Sequence, residues 1–370
     1  MPYDVLTQVR DMAAAAGLVA ACAAPATAAV WALVARPLGS PVFVARPRIP
    51  AAWSFFDVLF LFVLYTAFVA LAVAAISATG ALRHVYGPDF PAVGDVRVPD
   101  PDSAGAVGSG AGSEAIQSRA RSVRQLYGMW GTTAAVPLLL LAGLGIHTLI
   151  RGEPVRWSPR NVPGNVVFGA VVWAVATPVV YAVHFAAIAL VNATGGAVDE
   201  HPLALLGPGA DLFDQLFFAF AVCVMTPLVE EFLFRGLLVR WAEGERYGSW
   251  VLMAGAMGLA ALPGGGREQM LTATGFVAVL AVGLAAFQWS GADRRWFPLS
   301  ALNTGAAVYA SAAAFAAAHS GVWPSPVPLF VLGLALGVVA ARTGGISGCV
   351  VAHGLFNAVS FVYLLRGGVA

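Results

Sequence analysis

The sequence predicts an all-α fold, a polytopic transmembrane helix bundle of about eight to ten helices. Two observations carry that expectation. Hydrophobic residues make up 59% of the chain and charged residues 11%, against about a quarter charged in soluble domains, so a water-facing surface could not be covered. Apolar runs of the length that crosses a bilayer, about 20 residues, also recur along the chain.

Residues 12–35 form the first run. Val19-Ala20-Ala21-Cys22 resembles a lipoprotein cleavage site. Asp4 and Asp11 spoil a basic n-region and the apolar run continues past Cys22, so a span is expected rather than a cleaved signal. The run 54–77 completes an N-terminal helix pair within residues 1–82. Residues 83–124 are polar, with Pro88, Pro91, Pro99 and Pro101 followed by Ala104-Gly105-Ala106-Val107-Gly108-Ser109-Gly110, and predict a flexible loop. Runs 127–150 and 165–191 supply two helices within 125–211. The remaining stretch, 212–365, contains runs 212–239, 270–290, 298–319 and 346–365, while the shorter 248–262 and 326–341 are left as spans, half-spans or interfacial helices. Trp31, Trp53, Trp157, Trp296 and Trp323 lie near predicted span ends, as an aromatic belt places them.

Charge narrows function and orientation. All 20 basic residues are Arg and the net charge is +1, so no basic field recruits nucleic acid. The loops holding Arg36, Arg46 and Arg48, Arg151, Arg156 and Arg160, and Arg240 and Arg246 fall on one side if spans alternate, whereas the Arg-free 192–211 falls opposite. The positive-inside rule then puts the Arg-rich loops in the cytoplasm. Cys22, Cys223 and Cys349 sit in apolar runs without pairing or ligand spacing and are expected as small buried hydrophobes.

Ionisable groups inside a span cost about 2.5–3.5 kcal/mol each on insertion scales, so they mark function. The run from Thr226 to Leu238 puts Glu230, Glu231 and Arg235 at the end of an apolar segment, between Pro227 and Gly236. Glu231 and Arg235 are four apart and face one another, which suits an intrahelical pair. Glu230 is rotated by about 100° and left without that partner. A buried ion-pair cluster that only holds helices together accounts for Glu231 and Arg235 but leaves Glu230 unexplained.

Later runs add polar groups. Phe315 and His319 end one of them, and His353 and Asn357 share a face four residues apart in another. His147 and His184 are expected to be ordinary bundle residues. A buried base, a second base or acid beside it and two further donors are the parts needed to add water to a carbonyl. Serine-elbow, His-Glu-Xaa-Xaa-His and phosphate-loop motifs do not occur. Two His and a Glu could instead hold zinc with an open position, and intramembrane charge also suits a transporter.

Glu-Glu-Xaa-Xaa-Xaa-Arg-Gly (Glu230 to Gly236), Phe-Xaa-Xaa-Xaa-His (Phe315, His319) and His-Xaa-Xaa-Xaa-Asn (His353, Asn357), in that order, resemble the CAAX protease and bacteriocin-processing (CPBP) family of intramembrane glutamic endopeptidases. Gly333, Gly337 and the Arg342-Thr343-Gly344-Gly345 turn strengthen the likeness, which covers residues 212–365. The resemblance implies a helical bundle in a prokaryotic cytoplasmic membrane, with a polar cavity open to the cytoplasm. It implies that Glu230 and His319 activate water, that His353 and Asn357 form an oxyanion hole, and that Glu231, Arg235 and Phe315 support them. The partners it implies are a membrane-associated or CAAX-like peptide or protein substrate and the lipid bilayer; no cofactor, metal or nucleic acid is expected. A non-proteolytic scaffold or immunity protein on the same fold is the other reading. The apolar stretch 248–290 between the first two motifs departs from the family pattern and is expected as an insertion. A hairpin there keeps His319 on the face of Glu230, and a single extra span moves it away.

Overall fold

The structure, a computed structural model, describes residues 5–40, 53–87, 90–93, 111–146, 148, 161–196, 198, 212–262, 267–291 and 303–366. These residues form eleven helices and no strand. Helix α1 (Val5–Val30) holds Pro25 and continues through a π turn, Trp31–Ala35. Helix α2 (Phe55–Thr79) starts with a capping box, in which the Ser54 side chain accepts from the Asp57 N–H while the Asp57 carboxylate accepts from the Ser54 N–H. It stops at Gly80, whose φ of 64° lies in the left-handed region, where glycine carries no Cβ penalty. The short α3 (Ala81–Tyr86) follows, then α4 (Ala111–Gly145) and α5 (Val162–Ala193). Helix α6 runs Leu212–Gly244. After it come α7 (Gly248–Ala260), α8 (Arg267–Trp289), α9 (Thr304–Ala317), α10 (Pro326–Thr343) and α11 (Ser347–Leu365).

Eight helices are long and apolar enough to cross a membrane: Thr7–Ala35, Phe55–Thr79, Leu126–Gly145, Val162–Ala193, Leu212–Gly244, Gln269–Trp289, Pro326–Thr343 and Ser347–Leu365. The polytopic all-α bundle expected from composition is therefore what the chain forms. Two assignments change places. Within the run 298–319, expected as a full span, the described residues form the 14-residue helix Thr304–Ala317, about 21 Å long at 1.5 Å per residue against a hydrocarbon core of about 30 Å. Its apolarity serves another purpose, because every residue but Tyr309 is buried in protein. The undecided run 326–341 becomes an 18-residue span, and 248–262 forms a 13-residue helix.

A second correction concerns the polar stretch 83–124. Helix α3 occupies its first residues and α4 begins at Ala111, so 111–124 are helical rather than loop. Beyond Gly112 that stretch has neither Pro nor Gly and is rich in Ala, Gln, Glu and Arg, all good helix formers, so its polarity is compatible with helix. Of the groups used to orient the chain, Arg46, Arg48, Arg151, Arg156 and Arg160 lie outside the described residues, as do His147, Trp157 and Trp296.

Two large apolar cores result, beside a small cluster of Leu82, Val123 and Tyr127. One joins α2, α4, α6, α7, α8 and α9 through residues such as Leu61, Leu139, Leu237, Val277 and Phe315. The other joins α1, α5, α10 and α11 through Met12, Trp173, Val180, Leu336 and Val359. Small residues let backbones touch where helices cross: a Cβ on Gly348 of α11 would lie 2.6 Å from the Asn165 carbonyl of α5, and one on Gly337 of α10 would lie 2.5 Å from Val308 of α9. The polar residues singled out by the sequence gather where α6, α9 and α11 meet, at the seam between the cores.

Candidate active site

Helix α6 departs from regular α geometry on both sides of its two acids. A π turn at Ala221–Met225 precedes the α-helical stretch Thr226–Glu231, and a second, Phe232–Leu238, follows it. Single π turns inside α-helices are frequent at functional sites, because they interrupt the regular ladder and redirect side chains. Here the first π turn's Val222 carbonyl accepts a 2.9 Å hydrogen bond from Asn357 Nδ2 of α11, tying α11 to α6 about two turns before the acids.

Adjacent positions send the two carboxylates to different environments. Glu231 is fully buried, and its Oε1 accepts from Arg235 Nη1 at 3.1 Å and from His353 Nδ1 at 2.8 Å. Arg235, equally buried, gives its other arm to the Gly333 carbonyl at 3.1 Å and lies over the Phe315 ring, 4.7 Å from its centroid. Gly333 allows a close approach there: a Cβ would sit 3.0 Å from Ala312 of α9 and 3.4 Å from Arg235 Nη2. The intrahelical pairing expected of Glu231 and Arg235 is present and extends to a third helix through His353.

Glu230 lies on the cavity side. Its Oε1 is 3.8 Å from His319 Nε2 and its Oε2 is 3.7 Å from His353 Nε2. Each imidazole is oriented through its other nitrogen: His319 Nδ1 is 2.8 Å from the Phe315 carbonyl, four residues back, and His353 Nδ1 meets Glu231. A carbonyl and an ionised carboxylate can only accept, so the partners assign the proton of each ring to Nδ1 and leave Nε2 facing Glu230. The Phe315 ring packs against both imidazoles, with centroids 4.9 Å from His319 and 5.7 Å from His353.

These groups line a cavity of about 450 Å³. Its walls are α6 (Ala221, Val222, Thr226, Glu230), α9 with the turn after it (Phe315, His319), Leu329 of α10, α11 (His353, Phe356, Asn357, Ser360) and one face of α4 (Gly128, Met129, Thr132, Thr133). Glu230, His319, His353, Asn357 and Phe315 thus converge in one place, with Glu231 and Arg235 directly behind. The 248–290 stretch folds as α7 and α8, and His319 keeps to the face of Glu230. Sequence reasoning missed the α4 face, Thr226 and Ser360. Small or apolar residues on a spanning helix carry no signal that separates a cavity from lipid. His184 stands apart on α5, in ring contact with Phe185. Among the described residues no three His, Cys, Asp or Glu side chains are grouped so as to hold a metal ion.

A carboxylate flanked by two oriented imidazoles, with an amide nearby, can deprotonate water and offer donors to a developing oxyanion. The family model described as type II CAAX prenyl endopeptidase Rce1-like matches residues 212–292 and 293–359, including the stretch set apart above as an insertion. No curated protein and no solved structure gives a significant match.

Proposed function

Residues 212–359 belong to the Rce1-like family of type II CAAX prenyl endopeptidases, and from that premise we propose that the chain is an intramembrane endopeptidase that uses Glu230 to activate water. The observation that carries this reading is the placement of Glu230 within 3.8 Å of the Nε2 atoms of both His319 and His353, inside the cavity. Gaps of that size accommodate a water hydrogen-bonded at about 2.8 Å to both neighbours.

Glu230, assisted by His319, takes a proton from that water as its oxygen bonds to the scissile carbonyl carbon. The oxyanion that forms is met by Asn357, whose Nδ2 keeps a second N–H beyond the one given to Val222, and by His353 when its Nε2 has taken up a proton from solvent before the attack, a proton it keeps through the step. Glu231 stabilises that imidazolium through Nδ1. The carbon–nitrogen bond then breaks, and the proton held by Glu230 passes to the leaving amine. The reaction adds one water and needs neither metal nor cofactor. The substrate is a membrane-associated peptide or protein of the CAAX class, reached in the bilayer from a cytoplasmic opening.

The test is Glu230→Gln in purified protein, assayed on a quenched-fluorescent farnesylated CAAX-type peptide. Cleavage should fall by a factor of about 10²–10⁴, as for loss of a general base, while the melting temperature holds. Retained cleavage removes Glu230 from the mechanism. A wild-type protein that cleaves nothing favours the scaffold or immunity reading.

A further inference from the structure

Helix α1 is held to the bundle at its two ends and stands off between them. Met12, Ala15 and Val19 are buried in the core shared with α5, α10 and α11, and Ala35 is buried again at the far end, but none of residues 20–34 is buried. Just beyond, Ser40 Oγ accepts from the Gly164 N–H at 2.9 Å and pins that end to the start of α5. Between the two anchorages lies a groove of about 590 Å³, which shares no lining residue with the catalytic cavity. On the α1 side it is floored chiefly by Ala20, Ala23, Ala24 and Ala28, and Val167 and Val171 line it from α5.

Both helices are long and apolar enough to span a membrane, so this groove opens among lipid tails. An apolar gap left empty forfeits dispersion contacts along its whole lining. From Ala20 to Trp31 the groove follows α1 for about 16 Å at 1.5 Å per residue, close to the depth of one leaflet, half of a hydrocarbon core of about 30 Å. Its mouth carries charge. Trp31 lines that end, and the exposed Arg36 places its guanidinium over the Trp31 ring, 5.7 Å from the centroid. Among the described residues no carboxylate pairs with Arg36. An aromatic ring and an arginine at the end of a span sit at headgroup level, and the positive-inside rule assigns the Arg36 loop to the leaflet that holds anionic lipids.

We propose that this groove is a binding site for one anionic phospholipid, whose acyl chain lies between α1 and α5 and whose phosphate meets Arg36. An anionic headgroup leaves that phosphate to the guanidinium, whereas the ammonium of a zwitterionic headgroup competes for it. The bound chain joins α1 to α5 along the stretch where α1 buries no side chain. Both helices pack on α11, which carries His353 and Asn357, so the lipid braces the cavity wall from behind.

The experiment titrates full-length protein in a neutral detergent with palmitoyl-oleoyl phosphatidylglycerol or with phosphatidylcholine of the same chains, and reads the first lipid retained in native mass spectra. Wild type should hold phosphatidylglycerol about fivefold more tightly, the weight of one arginine beside an anionic headgroup. Arg36→Gln should bring the two lipids within about twofold of each other. Ala24→Phe, which fills the groove, should weaken phosphatidylglycerol at least about tenfold by displacing buried methylenes. Ala29→Phe puts the same ring on the opposite face of α1 and should bind like wild type. Phosphatidylglycerol with a diazirine at mid-chain, photolysed on wild type, should leave adducts within 20–31 or 167–174, a result that depends on no variant. Equal affinity for the two lipids, undiminished binding by Ala24→Phe, adducts confined to other helices, or a dimer that Ala24→Phe splits overturns the proposal. None of these measurements reads cleavage, so failure of the peptidase reading leaves the lipid site standing.

Discussion

Replacing Arg235 by methionine removes the guanidinium paired with Glu231 while keeping an unbranched apolar stem. The guanidinium is 1% exposed and its partner carboxylate 0%, with Nη1 and Oε1 3.1 Å apart. At an effective dielectric of about 20, that separation gives a gross attraction of about 5 kcal/mol. Desolvation of both ions offsets much of it in the intact protein. The variant is another matter, because the carboxylate stays buried with a single donor, His353, and the Gly333 carbonyl loses its partner. Breaking a buried pair on one side costs about 3–5 kcal/mol, and the Phe315 ring also loses a cation worth about 1–2 kcal/mol. Arg235→Met should therefore destabilise by about 3–5 kcal/mol in denaturant titrations of micelle-embedded protein. Glu231→Gln added to it removes the uncompensated charge but keeps an oxygen for His353. The double variant should recover about 1–2 kcal/mol relative to the sum of the single changes. An Arg235→Met protein within about 1 kcal/mol of wild type, or strict additivity in the double-mutant cycle, refutes the reasoning.

Other outcomes follow from the same geometry. His319→Ala should lower kcat by a factor of about 10²–10⁴ with little effect on stability, because its ring is a third exposed; an unchanged kcat would place it outside the chemistry. His353→Ala should lower kcat and also cost about 1–3 kcal/mol of stability, since it strips a hydrogen bond from a buried carboxylate, and unfolding titrations resolve the two effects. Chelators such as EDTA and 1,10-phenanthroline should leave turnover unchanged, and inhibition reversed by added zinc would support a metal mechanism instead. Gly348→Ala should destabilise by about 1–3 kcal/mol through overpacking against the Asn165 carbonyl, where its Cβ would approach to 2.6 Å; Ser54→Ala should cost about 1 kcal/mol by loss of the α2 capping box.

The parts of the site legible in the sequence were those where a polar residue interrupts an apolar run. Glu230, Glu231, Arg235, His319, His353 and Asn357 all carry that signal, because a charge in a span is costly unless it is used. The separation of Glu230 from Glu231 was legible too, from helical rotation alone. Burial in protein and burial in lipid look alike in a sequence: Thr304–Ala317 is as apolar as a span, and α7 and α10 pack around it. The helical start of α4 was missed for the opposite reason, its polarity resembling that of a loop. The cavity wall on α4 gave no sequence signal, since Gly128 and Met129 interrupt nothing.

The exposures of the polar groups order them into a sequence. From the inside outward, the pair of Glu231 and Arg235 is 0% and 1% exposed, His353 4%, Glu230 20% and His319 33%. Each member up to Glu230 is held by the one beneath it: Arg235 and Glu231 pair, Glu231 fixes His353 Nδ1, and His353 presents Nε2 to Glu230. The deepest pair has no access to substrate, so its job is positional, and low-dielectric surroundings strengthen its grip on the imidazole. Under the proposed mechanism Glu230, as the reacting carboxylate, needs the reverse, contact with water and room for a peptide. Two adjacent glutamates meet both demands only because helical rotation points one inward and the other to the cavity. Exchanging their environments would leave a buried base with no water and an exposed anchor with no hold on His353. The order Glu-Glu with Arg four residues after the second is thus a geometric requirement of this site. Moving the arginine to pair with Glu230, as in the double change Phe234→Arg and Arg235→Phe, should abolish cleavage even though composition and charge are unchanged. Full activity in that rearranged protein would show that the division between anchoring and reacting carboxylates does not matter.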